Sequence, residues 1–385
     1  MSDTDREQRA LLLAFAVFGM FWGAWASLLP AVKAHAGLSD GQLGLAMGAI
    51  ALAALPSMPL AGRLVDRLGA AQLVRLSLLC FCVVAPLPAL ASRAGGLIVS
   101  FVLIGLTTGF LDVVLNTATA AWERIEGRRL MAACHGLFSA GMLIGSVGTG
   151  FARNAGAGPE QVLPVVAVCV AVAALRQPTY RRPPLDEASA SRSRLGRVLV
   201  PIGVLVAVSF LLEDAIQSWS ALHLERDLHA RPWVSGLGPG LFAAAMTAGR
   251  LGSHVLGAGH RDGVVIVSGG GGVAGGAVLL AVAPGPVLAL IGVALAGAGC
   301  SVLAPTLFSA VGARSAPGRE GAALGAVSTL GYVGFLIGPP VIGLLSAATS
   351  LPVALGLLGL FGLGIAAAGP LVLRRPMQSF ARLVP

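Results

Sequence analysis

Three acidic residues stand deep inside apolar stretches: Asp112 in 109-GFLDVVLNTATAAWE-123, and Glu213 and Asp214 in 213-EDAIQSWSALHL-224. A charged side chain at the centre of a bilayer costs roughly 3 kcal/mol on insertion scales, so an acid kept there needs a role or a partner. Gly105, Gly109, Asp112, Asn116 and Thr119 recur at helical spacing and share one face. Glu213, Gln217 and Ser220 form a second such row, while Asp214 points elsewhere, nearer Ser218. A carboxyl in these surroundings can take a proton from one side and lose it to the other, or it can hold a polar solute. Asp112 therefore reads as a proton carrier, a solute ligand, or both. Glu213 is the second proton-coupling candidate, with Asn116 and Gln217 as polar ligands beside the two acids. The competing reading is a protonated Asp112 bonded to Asn116 or to a neighbouring helix that serves packing alone.

The elements that must position these groups are membrane helices. Hydrophobic residues make up 56% of the 385 and charged residues 11%, with a mean hydropathy of +0.85; a soluble domain carries about 25% charged residues. Apolar spans fall at roughly 10–32, 41–62, 70–91, 96–121, 130–152, 160–176, 199–223, 233–257, 263–283, 286–311, 320–347 and 350–373. At 1.5 Å per residue, Asp112 lies about 15 Å in from Trp122 and Glu213 about 21 Å in from Leu199, in the outer half of its span. The first span is too long for a signal-peptide core and has no cleavage site after it, so it is expected to stay in place.

Other classes are excluded on the same page. The net charge of +9 is scattered between spans, with no basic stripe interleaved with aromatics, which argues against nucleic acid. The five cysteines lie in apolar segments without metal-ligand spacing and read as small core residues; no metal and no cofactor is expected. The run 268-SGGGGVAGGA-277 lacks the Lys-Ser/Thr ending of a phosphate loop, and no enzyme motif is found elsewhere, so energy would come from an ion or solute gradient.

The spans form two sets of six: an N-terminal bundle over 1–176, a Pro-, Ser- and Arg-rich cytoplasmic linker over 177–198, and a C-terminal bundle over 199–385. Of the 26 basic residues, all but Lys33, Arg93, Arg153, Arg226 and Arg231 fall on one side when the N-terminus is placed inside. Both termini are therefore expected to be cytoplasmic. The halves echo each other, 62-GRLVDRLGA-70 after the second span and 249-GRLGSHVLGA-258 after the eighth, as do Gly127-Arg128 and Gly318-Arg319. Two related six-helix halves point to a parallel-repeat arrangement. The fold class is thus an all-α membrane protein of about twelve transmembrane helices in two pseudo-symmetric six-helix bundles.

In this setting the loop 62-GRLVDRLG-69 resembles the signature of the major facilitator superfamily between its second and third helices, with Gly62, Asp66, Arg67 and Gly69 fitting it. The resemblance runs through nearly the whole chain. It implies secondary transport by alternating access, a cytoplasmic latch formed by Gly62, Arg63, Asp66 and Arg67, and a monomer in a bacterial inner membrane. Within the family, 112-DVVLN-116 looks like the fucose permease branch, where an acid is followed four residues later by Asn on the fourth helix. Spans one and seven, 19-GMFWGAWASLLPAV-32 and 213-EDAIQSWSALHL-224, look like bacterial inner-membrane members of unassigned substrate related to that branch. The acid that the fucose permease carries on its first helix is absent here.

The resemblance also implies that helices one, four, seven and ten line the cavity. Trp22 and Trp25, too deep for an interfacial belt, are candidates to stack on a sugar-like solute, and Tyr332, Ser328 and Thr329 to add polar contacts. Trp219 is expected in the outer aromatic belt, and His135, one turn into span five, reads as a structural donor more than a proton relay. The expected partners are a small-molecule substrate, protons and the lipid bilayer. Proton-coupled uptake of a small polar solute is the first expectation. Proton-driven efflux of lipophilic or cationic compounds is the second, because 141-GMLIGSVGTG-150 faintly resembles the antiporter signature of the fifth helix.

Overall fold

The computed structural model describes residues 3–178, 199–255, 262–315 and 320–374, with the side chains of residues 66, 71, 253–255, 320–322 and 374 outside the described set. Twelve long helices follow the apolar spans: α1 (Asp3–His35), α2 (Asp40–Leu68), α3 (Ala70–Val84), α4 (Ala94–Glu126), α5 (Met131–Asn154), α6 (Pro159–Leu175), α7 (Leu199–Arg226), α8 (Leu237–Val255), α9 (Asp262–Val282), α10 (Pro286–Arg314), α11 (Glu320–Ala348) and α12 (Leu351–Arg374). Short helical turns at Leu87–Leu90 and Pro232–Ser235 precede α4 and α8. Ten of the described helices are long and apolar enough to cross a bilayer; α6 and α8 complete the set. No strand occurs among the described residues. This is what hydrocarbon demands, because a helix satisfies its own backbone hydrogen bonds. Large apolar side chains face outward, among them Val287 at 73% and Ile144 at 65% exposure, as a lipid-facing surface requires.

Helix ends carry local signals. Ser39 opens α2 with a capping box: its hydroxyl accepts the Gln42 N–H at 3.2 Å, and the Gln42 side chain accepts the Ser39 N–H at 3.0 Å. The signature stretch expected as a loop is instead helical. Gly62 to Leu68 form the last turns of α2, and Gly69 alone joins α2 to α3. Its φ of 81° is open to glycine, and its N–H closes on the Val65 carbonyl at 2.8 Å. Residues 179–198 of the expected linker lie outside the described residues. Gln177, at its start, is buried and donates to the Ala10 carbonyl at 2.9 Å.

The described residues form two compact units: residues 3–178 with Ser218–Ala243, and 199–217 with 244–374. The last turns of α7 and the first of α8 therefore belong with the first six helices. In the first unit α1 is the most enclosed helix, 72% buried over its apolar window. It packs on α5 through glycines that allow backbone contact: Gly141 meets the Ala16 carbonyl, and Gly145 meets that of Met20. The antiporter-like glycines thus build a helix seam. Alongside, α2 packs on α4, where Gly105 faces Ile50 and Gly109 faces Ala54 and Ser57. In the second unit the glycine run of α9 serves the same purpose, Gly276 against Gly292 of α10 and Gly270 against Gly362 of α12. Gly334 of α11 likewise lies on the Ala207 carbonyl of α7.

Candidate functional site

In the first unit Asp112 sits near the middle of the 33-residue helix α4 and is half-buried. Asn116, one turn on, donates from Nδ2 to Asp112 Oδ1 at 3.1 Å and to the Asp112 carbonyl at 2.9 Å. Its Oδ1 lies 3.2 Å from Nε2 of His135 on α5. The face expected to hold Gly105, Gly109, Asp112, Asn116 and Thr119 divides its work. The glycines are closed against α2, and Thr119 is buried near Cys134 of α5 at 3.9 Å, bonded to the Leu115 carbonyl. Asp112 and Asn116 stay partly accessible between them. His135 is exposed, and its ring meets Phe15 edge-on at 5.3 Å. Sequence weighed it toward a structural donor; helical spacing on α4 could not reveal that α5 brings this nitrogen to Asn116.

In the second unit Glu213 is half-buried in the middle of α7, which continues to Arg226, so it stands less far toward the outer end than the apolar span suggested. Arg250 is the missed residue. It was counted with the basic residues of the cytoplasmic side, yet it lies within α8 and acts electrostatically on Glu213, and both act on Cys300 of α10. A tally that uses every arginine for topology has no way to separate an arginine inside a helix. Asp214 faces α11, where its Oδ2 would lie 3.6 Å from a side chain at Gly338. Gln217 is half-buried, one turn beyond Glu213. Tyr332 is half-buried in an aromatic cluster, 5.6 Å from Phe335 and 6.3 Å from Phe210, whose ring stacks on Phe335 at 4.7 Å. Phe210 precedes Glu213 by one turn of α7, so aromatic and acidic groups share that part of the helix.

The other expected residues divide. Trp22 is half-buried between Phe18 and Phe21. Trp25 is 2% exposed, edge-on to Phe101 at 5.0 Å, so it packs the bundle interior. Trp219 is fully buried; the C-terminal end of α7 is enclosed in the first unit, and the belt expectation fails there. Arg63 and Arg67 are exposed on the last turns of α2, with Gly62 beside them, and the side chain of Asp66 lies outside the described residues.

Ion pairs that sequence did not join cluster at the opposite end of α2. Asp40 takes Lys33 at 3.0 Å and Arg226 at 2.7 Å. Arg226 also bonds Asp227 at 2.9 Å, and buried His223 bonds the other oxygen of Asp227 at 2.9 Å. Burial pushes the Asp227 carboxyl up, but hydrogen bonds from His223 and Arg226 outweigh it and hold the group below the usual aspartate value. Nearby, Arg153 bonds Glu225, which Ser235 supports at 2.9 Å. Lys33, Arg153 and Arg226, three of the five basic residues set apart by the sequence tally, are thus each matched to a carboxylate.

A family model for the Major Facilitator Superfamily matches residues 11–257. The chain belongs to the major facilitator superfamily. This major facilitator protein is also 32% identical over 372 residues to an uncharacterized MFS-type transporter of Yersinia pestis, covering 96% of each. Its fold matches a crystal structure of the nucleoside transporter NupG with a TM-score of 0.81 at 12% identity, over 96% of this chain and 100% of that one. It matches the E. coli fucose:proton symporter FucP with a TM-score of 0.62 at 18% identity, over 95% and 98%. At those identities the likeness is one of fold. The major facilitator protein is a multi-pass membrane transporter.

Proposed function

We propose that this transporter takes up a small polar, sugar-like solute together with protons, through alternating access, from a bacterial inner membrane in which both termini are cytoplasmic. The observation that carries the reading is Asp112, a half-buried carboxyl in the middle of an apolar helix, oriented by Asn116. Ionisable groups kept inside membrane helices mark ion and substrate pathways. Asp112 carries the proton, and Asn116 presents hydrogen-bonding capacity beside it. Glu213, with Gln217 and Tyr332, supplies polar and aromatic contacts from the second unit, and Trp22 adds a ring from α1. The fold neighbours that transport a nucleoside and fucose accord with a solute carrying a sugar ring. The one-sided distribution of arginine supports the orientation. Arg63 and Arg67, exposed at the end of α2, suit a cytoplasmic latch with Gly62 and Asp66, and the protein works as a monomer.

A thermal-shift screen of the detergent-purified chain tests this, setting neutral sugars, polyols and nucleosides against lipophilic cations on either side of neutral pH. A ligand at a hundred times its Kd stabilises by about 2.7 kcal/mol, enough to read. Stabilisation by a sugar-like solute, with a pH dependence lost in Asp112→Asn, is the expected result. Stabilisation by cations alone overturns uptake in favour of efflux.

A further inference from the structure

The geometry around Asn116 commits each of its polar atoms. Nδ2 donates to Asp112, so Oδ1 faces His135, and the imidazole must donate to it from Nε2. That leaves Nδ1 of His135 as the basic nitrogen. His135 is exposed and Asp112 half-buried, so neither is sealed inside the packed first unit. The Phe15 ring, edge-on at 5.3 Å, fixes the imidazole on its α1 side.

Among the described residues, charged groups near the ring include, on α4, Asp112, through Asn116, and Glu123, which acts on Cys134 of α5 and accepts the N–H groups of Leu130 and Met131; Arg129 stands near Glu123 just before α5. On α1 the facing group is Phe15, and Arg9, Glu7 and Arg6 lie about two turns further toward the N-terminus.

We propose that His135 is the proton partner of Asp112, taking the proton that the carboxyl sheds and passing it to the aqueous side at the Leu130 end of α5. The inference rests on the proton-coupled reading above. In the step the carboxyl O–H bond breaks, the proton crosses solvent, and an N–H bond forms at Nδ1. A carboxylic acid and a neutral imidazole become a carboxylate and an imidazolium, with no change in the total of protons or charge. Both Asn116 hydrogen bonds persist and strengthen, because each now has a charged partner. Loss of the Nδ1 proton to water resets the pair. Histidine suits the task because its charge changes near physiological pH. His135 here positions and stores a proton and touches no solute.

The test needs no identified solute. The detergent-purified full chain is given a rapid pH jump, and the carbonyl stretch of protonated Asp112 is followed by stopped-flow infrared, the band being assigned by its loss in Asp112→Asn. His135→Gln should keep the band and slow its change about tenfold or more, in the range of a positioned proton-transfer group. His135→Ala should recover speed when imidazole is added, which a merely structural role would not allow. Asn116→Leu, which keeps the histidine, should slow the change as much, and it decides the matter if the His135 variants do not fold. Wild-type kinetics in His135→Gln, or slowing that imidazole leaves untouched, overturns the inference. A wild-type chain whose Asp112 band does not respond to pH overturns the proton-carrier reading itself, and is told apart by that missing response.

Discussion

Arg153 of α5 holds Glu225 of α7 with two hydrogen bonds of 2.8 Å, one from each terminal nitrogen. Arg153 also donates to the Ser27 carbonyl of α1 at 2.9 Å, and its side chain is 7% exposed. Three helices thus meet on one guanidinium. Removing one partner of a buried pair strands the other charge, so Glu225→Gln or Arg153→Ala should each cost about 3 kcal/mol. Denaturation midpoints of the purified protein check this. The exchanged double variant, Arg153→Glu with Glu225→Arg, should recover part of the loss, whereas a purely steric role would make it worse than either single change.

Asp112→Asn keeps the shape and the hydrogen-bonding capacity of the side chain but cannot carry a proton. Exchange of the bound solute across reconstituted vesicles should persist, while accumulation driven by a pH gradient should vanish. Unchanged pH-driven accumulation would remove Asp112 from the proton path.

Glu213 and Arg250 should behave as one unit. Glu213→Gln and Arg250→Met, each alone, leave a charge in the interior of the second unit. The double change should cost less than the sum of the two, with a coupling of about 1–2 kcal/mol in a double-mutant cycle of thermal stability. Strict additivity would mean that their electrostatic contact has no energetic weight.

The lowered Asp227 carboxyl sets an acid limb. Its stabilisation is complete above 3.8, the ordinary aspartate value, and is lost as pH falls from there through the lower folded value. The midpoint temperature should therefore drop at acid pH below that value, and Asp227→Asn should flatten this limb while lowering stability at neutral pH.

The α1–α5 seam predicts a contrast between neighbouring glycines. A side chain at Gly145 would run into the Met20 carbonyl, whereas none of the surrounding atoms approaches within 4 Å of one at Gly148. Gly145→Ala should destabilise by about 1–3 kcal/mol through overpacking. Gly148→Ala should be neutral or stabilising by up to about 1 kcal/mol from helix propensity. Thermal melts of the two variants decide it.

The helices were legible in the sequence because each apolar run is bounded by charged, Gly or Pro residues, and a membrane helix must be apolar along its whole length. Asp112 with Asn116 was legible for the same reason: four-residue spacing inside such a run fixes a shared face. Residues 62–68 misled because Gly, Asp and Arg read as a turn, yet helix α2 simply projects beyond its apolar run. Arg250 was hidden by its neighbours in 249-GRLGSHVLGA-258, which mimic the first-half signature. The Arg153–Glu225 and Asp40–Arg226 pairs join residues 72 and 186 positions apart, and spacing along one helix carries no trace of them. His135 needed the same cross-helix information.

The single-residue joint at Gly69 has a mechanical meaning. One residue spans at most about 3.6 Å, so the corner between α2 and α3 holds no slack. A tilt of α2 cannot be absorbed there and must be handed directly to the first turn of α3. The two helices form a bent lever with its fulcrum at one backbone unit, and the exposed arginines of the last α2 turns stand close to that fulcrum, so a tilt of the long arm reorients them without carrying them far.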